Sequence, residues 1–343
     1  MNIPILPILI ASITTFVAII VLRPFAIKID LVDNPNTRKL HNGSVPIIGG
    51  IAMYIGVVVS IIVTLNNLIQ FGYLFIATSI ILIVGLLDDY RHIQVSIRLF
   101  FQVFVALILV MLGNSILASF GNLFGNGEVI LNESAYLFSV LALIAGMNAL
   151  NMTDGLHGLA GGTSLITFLA ILYLSLDNVL YGTLLILFLL CSVLPVFLLN
   201  NLCIGFSKNK RIFMGDAGSM VIGLIIAWLL LELSQGEDRA FSPVTSLWLF
   251  ALPLIEMFTV VIRRVVRGKS PFKPDLTHAH HTLIRFGFGE KSTLLVLLLF
   301  SIVMAIAGIL GELYELDEWI MFVGFLLVFL LYVLIYGFLL KIK

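Results

Sequence analysis

The sequence predicts an all-α integral membrane protein that crosses the bilayer many times. Hydrophobic residues make up 60% of its 343 residues and charged residues only 11%, whereas a soluble domain carries about 25% charged residues. The apolar residues form long runs from one end of the chain to the other. A soluble enzyme, a disordered chain and a disulfide-rich secreted scaffold are therefore excluded, since the chain has only two cysteines.

Apolar runs of the length that crosses a bilayer, about 17–25 residues, occur eleven times. The first run lacks a basic start and a small-residue cleavage site, so we expect it to be retained as a helix. No repeat or linker divides the chain, and residues 1–343 are expected to form a single membrane domain. The predicted spans are 3–22, 47–65, 71–87, 99–120, 134–150, 159–176, 179–198, 218–233, 243–262, 294–311 and 318–340.

The distribution of charge predicts the orientation of these spans. If the spans alternate in direction, every one of the 19 basic residues except Arg239 lies on the same side. The positive-inside rule makes this side cytoplasmic, with the N-terminus outside and the C-terminus inside. All six histidines also lie on this side. An active site is therefore expected to face the cytoplasm, and the bilayer itself is a partner. The net charge is zero, and no nucleic-acid partner is expected.

Two adjacent carboxylates, Asp88 and Asp89, end the third span. The C-terminus of a helix carries a partial negative charge, so anions are disfavoured there. A structural interpretation is an interfacial acidic pair held by Arg91 or Arg98. The functional interpretation is a paired-carboxylate site that handles a metal ion or a proton.

A glycine-rich segment follows the fifth span and contains Asn151, Asp154 and His157 at intervals of three residues. This spacing allows one helical turn or tight loop to present all three side chains together. Glycines allow a close approach of the backbone to a ligand. A plain reversal between two helices is the alternative interpretation.

Asp216 precedes the eighth span and lies close to Lys210 and Arg211. Its position suits an ordinary helix N-cap, but also a ligand for a divalent cation beside phosphates. Mg²⁺ prefers oxygen ligands and commonly takes one or two carboxylates together with substrate phosphates. Mg²⁺ is therefore the expected cofactor, with Mn²⁺ as the alternative ion.

The last long cytoplasmic loop contains His278, His280 and His281, which we call the histidine cluster. Arg264 and Arg267 precede it and can donate charge-assisted hydrogen bonds to a phosphate. Binding or protonation of a phosphate is the favoured function of the cluster. A zinc site is an alternative, although no cysteine pair completes it. Lys39, in the first cytoplasmic loop, is a further candidate for substrate binding.

These motifs, in this order, resemble the polyprenyl-phosphate N-acetylhexosamine-1-phosphate transferase superfamily along nearly the whole chain. Two further segments, 242–248 and 268–275, resemble the WecA-type branch of this superfamily and not its MraY-type branch. The segments that carry the wider resemblance are 33–41, 46–50, 88–89, 151–155, 213–219 and 278–281.

The resemblance implies a phosphoglycosyl transferase of the bacterial inner membrane. The implied reaction converts UDP-GlcNAc and undecaprenyl phosphate into UMP and undecaprenyl-diphosphate-GlcNAc, the first step of enterobacterial common antigen and O-antigen (lipopolysaccharide) synthesis. A homodimer is the oligomeric state that the family suggests. The chain departs from the family pattern at His92 and His157, where aspartates are frequent; the second puts nucleotide affinity and sugar choice in question.

The resemblance also implies a function for each site residue. Asp216 would be the principal Mg²⁺ ligand with Asn151 beside it. Asp88, supported by Asp89, would deprotonate or orient the lipid phosphate. Asp154 and position 157 would line the nucleotide pocket, and the histidine cluster would hold the diphosphate and sugar. Direct attack by the lipid phosphate on the UDP-sugar is the favoured route. A two-step route through a phospho-aspartate at Asp88 stays open as the alternative.

Three other interpretations of the sequence are a transporter, a scaffold without chemistry and a sister transferase. A transporter would place ionisable groups near the bilayer midplane, often in repeated halves, whereas these acidic residues lie at helix ends and even Glu256 lies in the cytoplasmic third of its span. A scaffold without chemistry does not explain six histidines on one side. The strongest alternative is a sister transferase that uses another UDP-N-acetyl sugar, or one that serves teichoic acid synthesis.

Overall fold

The computed structural model describes residues 3–33, 43–64, 71–176, 179–205, 210–270 and 278–342, and in these residues it contains thirteen α-helices. A two-residue antiparallel pair joins β1 (Val32–Asp33) to β2 (Val45–Pro46). A π-helical turn, Ile108–Leu112, extends α4. The helices are α1 Ile5–Lys28, α2 Gly49–Thr64, α3 Gly72–Arg91, α4 Val95–Leu107, α5 Ala135–Thr153, α6 Leu159–Ser175, α7 Tyr181–Asn201, α8 Gly215–Leu233, α9 Pro243–Leu249, α10 Ala251–Val266, α11 Ala279–Arg285, α12 Glu290–Leu313 and α13 Glu318–Ile342.

The predicted class, a polytopic helical membrane protein, is confirmed. Eight helices in the described residues are long and apolar enough to cross a bilayer, and α9 with α10 forms a ninth, bent span. The helices α2 and α6 are apolar but shorter, with 16 and 17 residues. Each of the eleven predicted runs thus corresponds to one helix or to one bent pair.

Two predicted spans have different shapes in the structure. The run 99–120 is helical only as far as Leu112, because Asn114 adopts a left-handed backbone with φ of 56°. The run 243–262 is bent by 84° between α9 and α10. Pro253 has no N–H to bond the carbonyl of Leu249, and the hydroxyl of Thr167 donates to that carbonyl instead at 2.9 Å.

The helix α8 forms the centre of the bundle, and nearly all of its residues are buried. It packs against α2, α3 and α5. Small residues allow these close approaches, as is common between helices in membranes. A Cβ atom at Gly85 of α3 would overlap the backbone of Ala217, and one at Gly146 of α5 would lie 2.8 Å from the carbonyl oxygen of Gly223. These contacts bring the ends of α3 and α5 to the beginning of α8.

The loops gather at two ends of the bundle. At the end that we call the site end, α3 and α5 finish and α2 and α8 begin, and the N–H of Gly49 donates to the carbonyl of Phe213 at 2.8 Å. At the opposite end, Arg239 forms a 2.7 Å ion pair with Glu318, whose carboxylate also accepts the N–H of Asn122. The predicted alternation of the spans therefore agrees with the packing.

Candidate active site

The two adjacent aspartates at the end of α3 make different contacts. Asp89 binds the beginning of α8, where its carboxylate oxygens accept the backbone N–H of Asp216 at 2.8 Å and that of Ala217 at 3.2 Å. Gly215 precedes them with φ of 78°, a conformation that suits glycine. Asp216 lies in the first turn and does not cap the helix, so the N-cap interpretation of Asp216 is wrong. Asp89 provides the cap from another helix.

Asp216 also contacts α5. The side-chain amide of Asn151 donates to Oδ1 of Asp216 at 2.7 Å and to the hydroxyl of Ser219 at 3.0 Å. The Asp216 side chain is 37% exposed, so it remains accessible from the site end. The structure therefore brings together Asp216 and Asn151, which the sequence placed 65 residues apart.

Asp88 is buried and is held by Arg98. One of its oxygens accepts the N–H of Ile93 at 3.0 Å, and the other lies 2.8 Å from Nη1 of Arg98. The same guanidinium nitrogen lies 3.7 Å from Oδ2 of Asp216. The structural interpretation of the acidic pair named Arg91 or Arg98, and the structure selects Arg98. Arg98 was not among the predicted site residues, because ten residues of sequence separate it from Asp88.

The glycine-rich segment turns back directly beside this cluster. His157 stacks on Phe213, with ring centroids 5.0 Å apart and planes 22° apart. The backbone N–H of Gly158 donates to the side chain of Asn201 at 2.6 Å, which ties the turn to the end of α7. Asp154, the residue that follows α5, is exposed. The three predicted residues of this segment therefore share the site end.

The histidine cluster lies at the beginning of α11 and contacts the glycine-rich turn. The ring of His280 occupies the space where a side chain at Gly155 would lie. The His280 and His281 rings are 4.2 Å apart, and the His278 ring stacks on that of His280. Burial, followed by the nearby His281 and His278, lowers the pKa of His280 to about 2. His280 is therefore neutral near pH 7, where its imidazole can donate a hydrogen bond.

The remaining predicted residues lie near the end of α10 or outside the described part of the chain. Arg264 is buried and Arg267, one turn later, is exposed. Lys39 lies outside the described residues.

The donor atoms at the site end suit a hard divalent cation. Asp216 supplies a carboxylate, and Asn151, whose amide nitrogen donates to it, also carries a carboxamide oxygen. The Asp88 carboxylate lies beside that of Asp216, and the same Nη1 atom of Arg98 is near both. Among the residues that the structure describes, no three His, Cys, Asp or Glu side chains are arranged to hold a metal ion. In this part of the chain, the histidine cluster therefore forms no zinc-ligand set. A cation with few protein ligands, whose other positions are filled by water and phosphate oxygens, fits this arrangement.

Comparisons with known proteins agree with the motifs. The glycosyl transferase family 4 model matches residues 71–234. Undecaprenyl-phosphate alpha-N-acetylglucosaminyl 1-phosphate transferases from Yersinia pestis and Escherichia coli strain K12 are each 38% identical to this chain, over 91% and 90% of it and 86% and 84% of their own lengths. The Haemophilus influenzae protein of the same name is 40% identical over 96% of this chain and 92% of its own. The predicted resemblance is confirmed, and the chain belongs to the family of the undecaprenyl-phosphate α-N-acetylglucosaminyl 1-phosphate transferases.

Proposed function

We propose that this protein transfers N-acetylglucosamine 1-phosphate from UDP-GlcNAc to undecaprenyl phosphate and releases UMP. The observation that carries the proposal is the convergence of Asp88, Asp89, Asn151 and Asp216 at one end of a membrane-embedded bundle. A phosphate on a lipid and a water-soluble nucleotide can meet only at such a boundary. The names and the extensive identity of the relatives support the same reaction.

Mg²⁺, with Mn²⁺ as a substitute, is the proposed cofactor, and Asp216 with Asn151 would hold it. When bound, the ion would neutralise charge on the phosphates and orient the diphosphate. Asp89 contributes indirectly, because its two bonds to the beginning of α8 fix the position of Asp216.

Asp88 would act on the lipid phosphate. Arg98 and the N–H of Ile93 hold its carboxylate, so that Asp88 can orient the phosphate or accept its proton. In the favoured route a lipid phosphate oxygen attacks the β-phosphorus of UDP-GlcNAc. The bond from this phosphorus to the bridging oxygen breaks, and UMP leaves. In the second route Asp88 attacks the β-phosphorus and UMP leaves. The lipid phosphate then attacks the resulting GlcNAc-phospho-aspartate and releases the Asp88 carboxylate.

The donor would lie on the side of the glycine-rich turn. Asp154 and His157 would contact the nucleotide, and the histidine cluster would hold the diphosphate and sugar. Arg264, Arg267 and Lys39 supply positive charge for the phosphates. Neutral His280 would contribute a hydrogen bond rather than a charge.

The distribution of basic residues supports a cytoplasmic active site in a bacterial inner membrane. There the product would start a surface polysaccharide such as enterobacterial common antigen or O-antigen. A homodimer is the proposed oligomeric state. A second candidate is a sister transferase that uses another UDP-N-acetyl sugar or serves teichoic acid synthesis. His157 favours another sugar, because the family pattern that the sequence resembles often has an aspartate here, and an imidazole cannot reproduce its carboxylate.

The test is UMP release by the purified protein in detergent. We expect release to require UDP-GlcNAc, undecaprenyl phosphate and Mg²⁺ together, to stop with a chelator, and to disappear in Asp216→Ala. Asp238→Ala, which removes an exposed aspartate at the opposite end, is the matched control and should retain activity. Release with another UDP-sugar only would support the sister transferase. Absence of UMP release with every UDP-sugar would overturn the enzyme assignment.

A further inference from the structure

Glu256, in the second turn of α10, is a buried carboxylate outside the aspartate cluster, with 5% of its surface exposed. The hydroxyl of Tyr332 in α13 donates to its Oε1. Its Oε2 accepts the backbone N–H of Ala279 at 3.2 Å and lies 3.4 Å from Nδ1 of His278. A buried carboxylate is costly unless it is well bonded. These partners therefore determine where the Glu256 side chain lies.

The contact with Ala279 fixes the beginning of a functional segment. Ala279 is the first residue of α11, and His278, at the N-cap position, makes no capping bond with its own side chain. The carboxylate of Glu256 supplies that bond from another helix, as Asp89 does for α8. Because α11 carries His280 and His281, Glu256 sets the position from which the histidine cluster extends.

A second set of contacts connects this anchor to the glycine-rich turn. Leu156 of the turn and Ala279 belong to one apolar cluster, together with Leu252 of α10 and Tyr336 of α13. Above it, the His280 ring fills the space beside Gly155. A shift at the beginning of α11 would therefore move His280 away from the turn that contains Asp154.

We propose that Glu256 is a positioning residue for the sugar-nucleotide side of the site. From within the membrane helix α10, and aligned by Tyr332, it fixes the beginning of α11 and seats the histidine cluster against the Asp154–Gly155 turn. The inference rests on the proposed function in one respect, that this turn and the cluster hold the UDP-sugar.

The first measurement does not depend on turnover. Diethyl pyrocarbonate modifies accessible imidazoles, and peptide mass spectrometry reports the modification rate of each histidine. His280 is 4% exposed and should react slowly in the native protein. We expect Glu256→Ala to raise the rate at His280 about tenfold or more, and Tyr332→Phe to raise it less, because Tyr332→Phe leaves the carboxylate in place.

Glu312→Ala is the matched control. Glu312 of α12 also supports the beginning of another helix, since it accepts the N–H of Ser242 at 2.6 Å and the hydroxyl of Thr245 at 2.5 Å beside α9. It lies at the opposite end, so its loss should leave the His280 rate unchanged.

Kinetics supply the second measurement. Loss of a hydrogen bond to a charged group changes an equilibrium constant roughly 10- to 100-fold. We therefore expect Glu256→Ala to lower kcat/KM for UDP-GlcNAc about tenfold or more and to change KM for undecaprenyl phosphate less than about twofold. Glu256→Gln, which retains a carbonyl acceptor for Ala279, should recover part of the loss.

Each outcome decides the proposal. An unchanged modification rate of His280 in Glu256→Ala would overturn it. So would a Glu256→Ala variant whose kinetic constants change equally for both substrates and by the same amount as in Glu312→Ala. If Glu256→Ala does not fold, Tyr332→Phe and Glu256→Gln decide by the same two measurements. A third outcome separates this proposal from the proposed function. If Glu256→Ala raises the His280 rate but the unmodified protein releases no UMP from any UDP-sugar, the proposed function is overturned and Glu256 remains the anchor of α11.

Discussion

The carboxylate of Asp89 in α3 accepts the backbone N–H of Asp216 in α8 at 2.8 Å. Successive residues of an α-helix point about 100° apart, so Asp88 does not bind the same N–H. It pairs with Arg98 and lies beside the Asp216 side chain. Two adjacent and chemically identical residues therefore act differently. Asp89 fixes the position of Asp216, whereas Asp88 is presented with a cation towards the site.

Removal of the cap at α8 should affect stability and activity together. Asp89→Ala loses both acceptors, and loss of a helix cap costs about 0.5–2 kcal/mol. We expect a lower thermal-unfolding midpoint in detergent and at least about a tenfold loss of UMP release, since Asp216 lies in the first turn. Asp89→Asn retains one acceptor oxygen, so its unfolding midpoint and its rate of UMP release should lie between those of Asp89→Ala and the unmodified protein. Loss of activity with an unchanged midpoint would show instead that Asp89 acts directly on substrate.

Arg98 should be more important than Arg91, although Arg91 is nearer to Asp88 in the sequence. Removal of one partner of a buried ion pair leaves a charge without compensation, and Arg98→Ala does this to Asp88. We expect about a 100-fold loss of UMP release. Arg98→Lys should retain more activity, although an ammonium lacks the planar guanidinium geometry.

Arg91→Ala is the control, because the Arg91 side chain is exposed and lies over the ring of Tyr90. Its activity should stay within about twofold of the unmodified protein. An equal loss in both variants would mean that surface charge in general, and not the Arg98–Asp88 pair, supports the reaction.

The contact between Gly155 and His280 can be tested by adding one methyl group. In Gly155→Ala the new Cβ would overlap the imidazole of His280, so either the ring or the turn must move. We expect kcat/KM for UDP-GlcNAc to fall about tenfold, while KM for undecaprenyl phosphate changes little. Gly337→Ala, at a glycine inside α13 with no atom within 4 Å of the added Cβ, should behave like the unmodified protein. Full activity in Gly155→Ala would contradict the close seating of His280.

His280 should make the protein sensitive to mild acid. Its pKa of about 2 in the folded protein lies below the unfolded value of about 6.5, because burial disfavours the imidazolium. Between these values the unfolded chain binds a proton that the folded protein does not, so stability falls as the pH drops below about 6.5. The expected loss is about 1.4 kcal/mol at pH 5.5 relative to pH 7.5.

Thermal-unfolding midpoints measured in one detergent across this pH range provide the check. His280→Gln removes the titrating group and should reduce the slope of midpoint against pH. The same slope in both proteins would show that His280 is protonated in the folded state or that other groups cause the acid sensitivity.

The membrane class, the eleven apolar runs and the common end of the chemical motifs could be predicted from sequence because these properties depend on local composition. A span needs about 20 apolar residues. Because successive spans alternate in direction, each loop is then assigned to one side of the bilayer. The bend between α9 and α10 was missed because Pro253 permits a break but does not require one. The short helix α11 was missed because its seven residues show no apolar run.

The sequence by itself determined which residues could carry chemistry and that they share one side of the bilayer. The tertiary structure alone decided which of them meet. Asp89 binds the beginning of α8, 127 residues away, and Glu256 binds that of α11, 23 residues away across a loop. Such contacts depend on the angle and depth at which helices pack, which glycines such as Gly85 set through close approach. Neither periodicity nor motif order encodes that geometry, because it arises only when all the helices are packed together.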